Sequence, residues 1–225
     1  MDIRVLWEDE NLWAVVKPAG AISEDGNGLT VPGLIREATG AEYVGVVHRL
    51  DREAAGVMVY AKTPAAARYL SDLVSARRME KDYLALVHGA PEEEYGEYRD
   101  LLFRDAKRGK SFPVTRMRKG VKEAVLRFHR IQSDGELSLV RVRLETGRTH
   151  QIRVQFSSRQ MPLWADRRYG GKETGNLALW SCRISFLTAS GERRTFFARP
   201  EGEPWDRFAE SLARLPEEDP GFSQK

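Results

Sequence analysis

Residues 46–62, VVHRLDREAAGVMVYAK, set a charged turn at 48–53 between two apolar segments. Residues 43–47 before the turn and 56–61 after it are apolar and of strand length, so the chain must bury two elements and leave the turn at their ends. Asp51 then sits in a loop held by buried structure, a common way for a fold to present a reactive side chain. Arg49 and Arg52 flank it in sequence and favour its ionised form, and an ionised carboxylate serves as nucleophile or base at neutral pH. An isolated R-x-D-R is also the pattern of a salt-bridged surface turn.

Around this stretch the chain alternates short apolar runs with polar punctuation. Residues 3–7 and 12–17 read as a hairpin that ends at Pro18-Ala19-Gly20. Residues 29–38 read as a short helix stopped by Gly40. Residues 64–78 begin with proline at a first helical position and carry an apolar stripe at Ala67, Leu70, Leu73 and Val74, the spacing of a core-packing helix. Residues 83–87 then read as a strand. An acidic run at Glu92–Glu94 gives way to a basic stretch from Arg104 to Lys119, which suits either a nucleic-acid-contacting loop or a solvated hairpin tip.

Strand patterning resumes at 124–131 and 137–145. In the second of these, Arg141 and Arg143 alternate with Val140, Val142 and Leu144, which predicts one apolar and one basic face. Residues 146–153 turn from strand into helix, with Thr149 as the expected N-cap. Closing strands are expected at 177–186 and 195–198, followed by a terminal helix over 205–215 and a polar, flexible tail.

At 225 residues and 41% hydrophobic, the chain can bury a core of one large domain or two packed halves. One cysteine, Cys182, excludes an intrachain disulfide, and four scattered histidines offer no ligand spacing, so no structural metal is expected. No stretch approaches the roughly 18 apolar residues of a membrane span. A cytoplasmic protein with no membrane association fits best. The net charge of +3 hides an asymmetry: residues 200–225 hold seven acids against three bases, so residues 1–199 carry +7. A basic body suits a polyanion partner.

Five ordered segments resemble the RluA-type pseudouridine synthases, which convert selected uridines of ribosomal and transfer RNA to pseudouridine. The segment at 46–62 resembles their H-R-L-D-x-x-T-S-G motif. The others are 5–20 (VLWEDENLWAVVKPAG), 81–89 (KDYLALVHG), 145–154 (ETGRTHQIRV) and 162–170 (PLWADRRYG). The resemblance runs over most of residues 3–199. It implies an α+β fold, a large, mostly antiparallel mixed sheet in two halves with peripheral helices and a cleft across the sheet. Residues 1–199 would form the catalytic domain and 200–225 a C-terminal helix with an acidic tail. An N-terminal S4 RNA-binding module is not expected ahead of Ile3.

The same resemblance implies an isomerase. Asp51 is the catalytic carboxylate, Tyr83 packs on the target base and assists proton transfer, and Arg153 pairs with the catalytic aspartate. His48, Arg49, Leu50, Arg148, His150 and Lys17 would line the substrate cleft, with Lys17 near phosphate. The partner is structured RNA, a transfer or ribosomal RNA, met by a monomer without cofactor or metal. The target uridine would be flipped out of its loop at a cost of a few kcal/mol.

The sequence departs from the family pattern at Ala54-Ala55, where Thr-Ser is usual, at Ala165 in place of glycine, and at Gln155 in place of histidine. These departures touch substrate choice more than the catalytic set. A catalytically silent RNA-binding protein on the same scaffold is the alternative reading. A phosphotransferase is disfavoured, because H-R-L-D stands without a glycine-rich loop, a V-A-I-K lysine or D-F-G.

Overall fold

The computed structural model describes residues 2–217, which form eleven strands and four α-helices in two compact units. Of the described residues, unit 1 comprises 2–81 and 180–200, and unit 2 comprises 82–179 and 201–217.

In unit 1, β1 (Arg4–Glu8) and β2 (Leu12–Lys17) form the expected hairpin, with Asp9 Oδ1 accepting from the N–H groups of Asn11 and Leu12 at its turn. β2 runs antiparallel to β4 (Ala55–Ala61), from Leu12 opposite Ala61 to Lys17 opposite Gly56, and the short β3 (Gly45–Val46) also pairs with β4. β4 lies parallel to β10 (Leu179–Leu187) through Trp180 and Ser181, and β11 (Arg193–Phe197) closes on β10.

Every residue of β4 is buried, because helices cover both faces of the sheet. Val57, Val59 and Ala61 pack with Leu70 and Leu73 of α2 (Pro64–Ser75), whereas Met58 and Tyr60 pack with Val31, Leu34 and Ile35 of α1 (Val31–Thr39). This is the period-two alternation of a central strand, and it explains why the run reads as uniformly apolar. Thr30 and Thr63 cap the two helices by accepting from Gly33 N and Ala66 N, and Gly40 ends α1 as expected.

In unit 2, β5 (Glu80–His88) pairs with β9 (Leu137–Leu144), β9 with β8 (Val121–Ser133), β8 with β6 (Tyr95–Asp105) and β6 with β7 (Lys110–Val114), all antiparallel. Of these strand pairings β4–β10 is parallel and the others antiparallel, so the strand set is mixed and mostly antiparallel, the α+β class expected from sequence. α3 (Gln151–Ser157) is tied down through the buried Gln155 amide, which donates to Tyr98 O and Asp100 Oδ2 on β6. The chain then makes a 3-10 turn at Trp205–Phe208 and α4 (Ala209–Ala213).

The basic stretch forms a hairpin, one of its two expected readings: residues 101–105 of β6 pair with 110–114 of β7, and its remainder is the connection after it. Two local expectations are corrected. Arg141 and Arg143 do not offer a basic face. Both ion-pair with the fully buried Asp82, at 2.6 and 2.7 Å. The N-cap of α3 is His150, in the left-handed region at φ 55, while the Thr149 carbonyl accepts from Ser111 Oγ. The expected acidic tail lies mostly in residues 218–225, outside the described residues. No helix among the described residues is long and apolar enough to cross a membrane, and no group of three or more potential metal ligands occurs among them.

Candidate active site

Asp51 is half-buried in the loop between β3 and β4, and that loop is held from below by one lysine. Lys17, at the end of β2, is fully buried, and its Nζ donates to the carbonyls of Pro18 (3.0 Å), Arg52 (3.0 Å) and Ala54 (2.6 Å). Three acceptors match the three N–H groups of an ammonium. Burial lowers the Lys17 pKa to about 8, and the charges of Asp51 and Glu53 oppose that shift.

Other bonds fix the rest of the loop. Ser23 Oγ donates to Leu50 O and accepts from Leu50 N, Gly20 N donates to Arg52 O, and Ala54 N donates to Asp51 O. His48 is buried, and its Nε2 accepts from the Val59 N–H at 3.0 Å, which requires the proton on Nδ1. Burial first, and the charge of Lys81 second, hold its pKa well below the ordinary histidine value.

Of the residues assigned to the substrate cleft, Lys17 is engaged by the carbonyls of the Asp51 loop, and His48 accepts at Nε2 from the Val59 N–H of β4. Arg49 is exposed and pairs with Glu24 at 3.3 Å, and Arg52 Nε donates to Gly20 O. Among the described residues neither guanidinium is paired with Asp51. Leu50 is half-buried against the α1 side of the core. Ala54 and Ala55 are both buried, so the side chains that replace Thr-Ser face packed structure.

The motif's glycine has a steric reason. Gly56 has φ 114, and a Cβ there would lie 2.3 Å from Ser181 O on β10. Only a residue without a side chain allows this approach of the two strands.

In unit 2, Tyr83 is buried on β5 opposite Val142. Its neighbour Asp82, which points to the other face, receives Arg141 Nη2 at 2.6 Å and Arg143 Nε and Nη2 at 2.7 and 2.9 Å. The strand that carries Tyr83 is thereby cross-linked to β9 by a charged group with no water access.

Arg153 lies on α3, almost wholly buried, and Asp166 grips it along one edge, Nε to Oδ2 at 2.7 Å and Nη2 to Oδ1 at 2.8 Å. The Tyr169 ring lies 5.3 Å from the guanidinium carbon. Tyr169 OH accepts from Ser111 N and lies 3.0 Å from His150 Nδ1, so the loop after α3, the start of α3 and β7 share one polar cluster. Arg148 is half-buried, its Nε donating to Glu123 O.

The sequence shows Asp166 in a motif loop with no role and gives Asp82 none either. Asp82 could have been found from Arg141 and Arg143, two cations on one strand face that a buried strand must neutralise. Asp166 carries no comparable local signal, because its partner lies on another element. Its loop is tight: Ala165 sits at φ 58, and a Cβ on Gly171 would lie 2.4 Å from Asp166 N.

Comparison with known proteins agrees with this arrangement of motifs. A family model described as RNA pseudouridylate synthase matches residues 11–158. An uncharacterized RNA pseudouridine synthase of Aquifex aeolicus is 37% identical over 184 residues, 76% of this chain and 57% of that protein. Ribosomal large subunit pseudouridine synthase C of Escherichia coli K12 is 33% identical over 172 residues, 75% of this chain and 54% of its own length. The chain thus spans well under two thirds of the length of these curated relatives. In fold it is similar to human RNA pseudouridylate synthase domain containing 4, with a TM-score of 0.76 at 24% identity, covering 94% of this chain and 92% of that one.

Proposed function

Because this chain belongs to the RNA pseudouridylate synthase family, we propose that it isomerises uridine to pseudouridine in structured RNA, with Asp51 as the catalytic carboxylate. The observation that carries this reading is the construction of the Asp51 loop, whose backbone is held by the Lys17 ammonium at Pro18, Arg52 and Ala54 and by Ser23 at Leu50. A fold spends a buried charge on a loop's backbone when the side chain presented there must not move.

The reaction breaks the N1–C1′ glycosidic bond, turns the uracil and joins C5 to C1′. The C5 proton leaves and N1 gains one, so neither oxidation nor hydrolysis is involved. Asp51 acts as an anion by attack on C1′ or by removal of a ribose proton; both routes need a fixed, ionised carboxylate. Tyr83 packs on the base and assists the proton transfer from C5. Arg153 orients the catalytic carboxylate, and its own orientation is set by Asp166. Lys17 and His48 are positioning residues. Arg49, Leu50, Arg148 and His150 are assigned to substrate contact.

Residues 1–199 form the catalytic domain in this reading, with residues 200–217 appended to it, and the protein acts as a cytoplasmic monomer. The substrate is ribosomal or transfer RNA. The name of the Escherichia coli relative makes large-subunit ribosomal RNA the first to test.

The test is tritium release from C5-labelled uridine in unmodified large-subunit ribosomal RNA and, separately, in unmodified transfer RNA, with Asp51→Asn beside the wild type. Release by the wild type alone is expected, and the responding pool names the substrate class. No release from either pool by a folded protein that binds RNA would replace this reading with the silent RNA-binding one.

A further inference from the structure

Residues 115–120, which connect β7 to β8, place an apolar side chain at the centre of a cationic tip. All six are exposed. Met117 is 61% exposed, well above the 40–48% of the other exposed large hydrophobic residues. Its neighbours are Arg116, Arg118 and Lys119. Among the described residues Arg116 and Lys119 have no acidic partner, whereas Arg99 pairs with Glu97 and Glu123, and Arg127 with Glu97 and Glu145. The tip is also anchored. The Arg118 guanidinium lies over the Phe103 ring of β6 at 5.3 Å, and Arg118 O accepts from Val121 N.

Leaving a methionine in water forgoes about 1.5–3 kcal/mol of burial, and unpaired cations beside it indicate an anionic partner. One apolar side chain is too little for membrane anchoring, since even a whole myristoyl chain gives only marginal attachment. It is, however, the size of the wedge that proteins insert at a nucleic-acid base step.

We infer that residues 115–120 enter the RNA, with Arg116 and Lys119 on phosphates and Met117 wedged against a base, which keeps the substrate loop unstacked. This rests on the reading of RNA as substrate and extends it to a device that opens the loop for flipping. Arg118, fixed over Phe103, holds the tip in position.

The test uses the full chain and a stem-loop RNA carrying 2-aminopurine in its loop, with anionic phosphatidylserine vesicles as the competing surface. The wild type should bind the RNA and brighten the probe. Met117→Ser should weaken binding about five- to tenfold, the weight of one lost apolar wedge contact, lose the brightening, and leave the salt dependence of affinity unchanged. Met117→Leu should behave as wild type. Arg116→Ser with Lys119→Ser should lower the salt slope by about 1.5–2 while the bound RNA still brightens.

Wild-type behaviour of Met117→Ser in both affinity and brightening overturns the inference. So does absence of RNA binding by the wild type, or a Met117 dependence seen only with vesicles. If these binding results hold and no pseudouridine forms, the proposed activity falls while the wedge stands.

Discussion

The Lys17 ammonium donates to the Ala54 carbonyl at 2.6 Å across 37 residues of sequence, so the end of β2 fixes the exit of the Asp51 loop. With Pro18 O and Arg52 O the same nitrogen has three carbonyl partners, the full donor capacity of an ammonium. A neutral amine has only two N–H groups to offer, so the loop loses an anchor when Lys17 deprotonates.

That exchange predicts opposite pH trends for stability and turnover. The folded-state pKa of Lys17, about 8, lies below its ordinary value of 10.5. The cost of the buried charge is therefore present in full below about pH 8 and is relieved as pH rises towards 10.5. Between these limits the wild type should gain stability relative to Lys17→Met, while its kcat falls. Urea unfolding and single-turnover rates at pH 7, 8, 9 and 10 check this. An alkaline rate loss of the same size in Lys17→Met would remove Lys17 from the explanation.

Asp166 and Arg153 form a buried bidentate pair at 2.7 and 2.8 Å. Asp166→Asn neutralises the carboxylate that grips this buried guanidinium, and a loss of about 3–5 kcal/mol is expected. Adding Arg153→Met to Asp166→Asn should recover part of that stability, because no unmatched charge then remains at this pair. Chemical denaturation of the two single variants and the double variant reads the coupling; strict additivity would contradict it.

The sequence made most of the elements legible, because their signals are local. The hairpin at β1–β2, the capped helices α1 and α2 and the buried run of β4 each follow from period, cap residue and punctuation within a dozen residues. The candidate site was legible as a set of motifs but not as a set of contacts. Lys17 read as a strand-end lysine open to phosphate and His48 as a cleft residue, since the carbonyls near Arg52 and Ala54 and the Val59 N–H that engage them lie 11 to 37 residues away. Arg141 and Arg143 read as a basic surface because the acid that neutralises them, Asp82, lies on another strand. Local pattern reports which residues carry charge, and tertiary pairing decides which of those charges reach solvent.

Gly56 and Ser181 meet where β4 and β10 run side by side. With φ 114 at Gly56 and a Cβ position 2.3 Å from Ser181 O and 2.5 Å from Ser181 N, Gly56→Ala adds both a backbone penalty and a clash with backbone that cannot rotate away. A destabilisation above about 3 kcal/mol is expected, read as a fall in urea midpoint. A variant within about 0.5 kcal/mol of wild type would show that the strands can part at this point without cost.

Ala165 stands where the family pattern has glycine, and its φ of 58 shows what that glycine does. The left-handed conformation costs a residue with a Cβ about 1–2 kcal/mol, whereas glycine adopts it freely but carries about 0.5–1 kcal/mol more unfolded-state entropy. Ala165→Gly should therefore stabilise the protein by about 0.5–1 kcal/mol. Ala165→Val should destabilise it by more than that, since β-branching makes the left-handed region worse. The Ala165 N–H donates to Glu173 Oε2, whose carboxylate also meets His88 Nε2 at 3.0 Å, so the backbone has a reason to hold this conformation with either residue. Thermal melts of the three proteins should rank glycine above alanine above valine, with tritium release from C5-labelled uridine by Ala165→Gly equal to that of wild type. The reverse order of glycine and alanine would mean that the loop relaxes out of the left-handed region in solution.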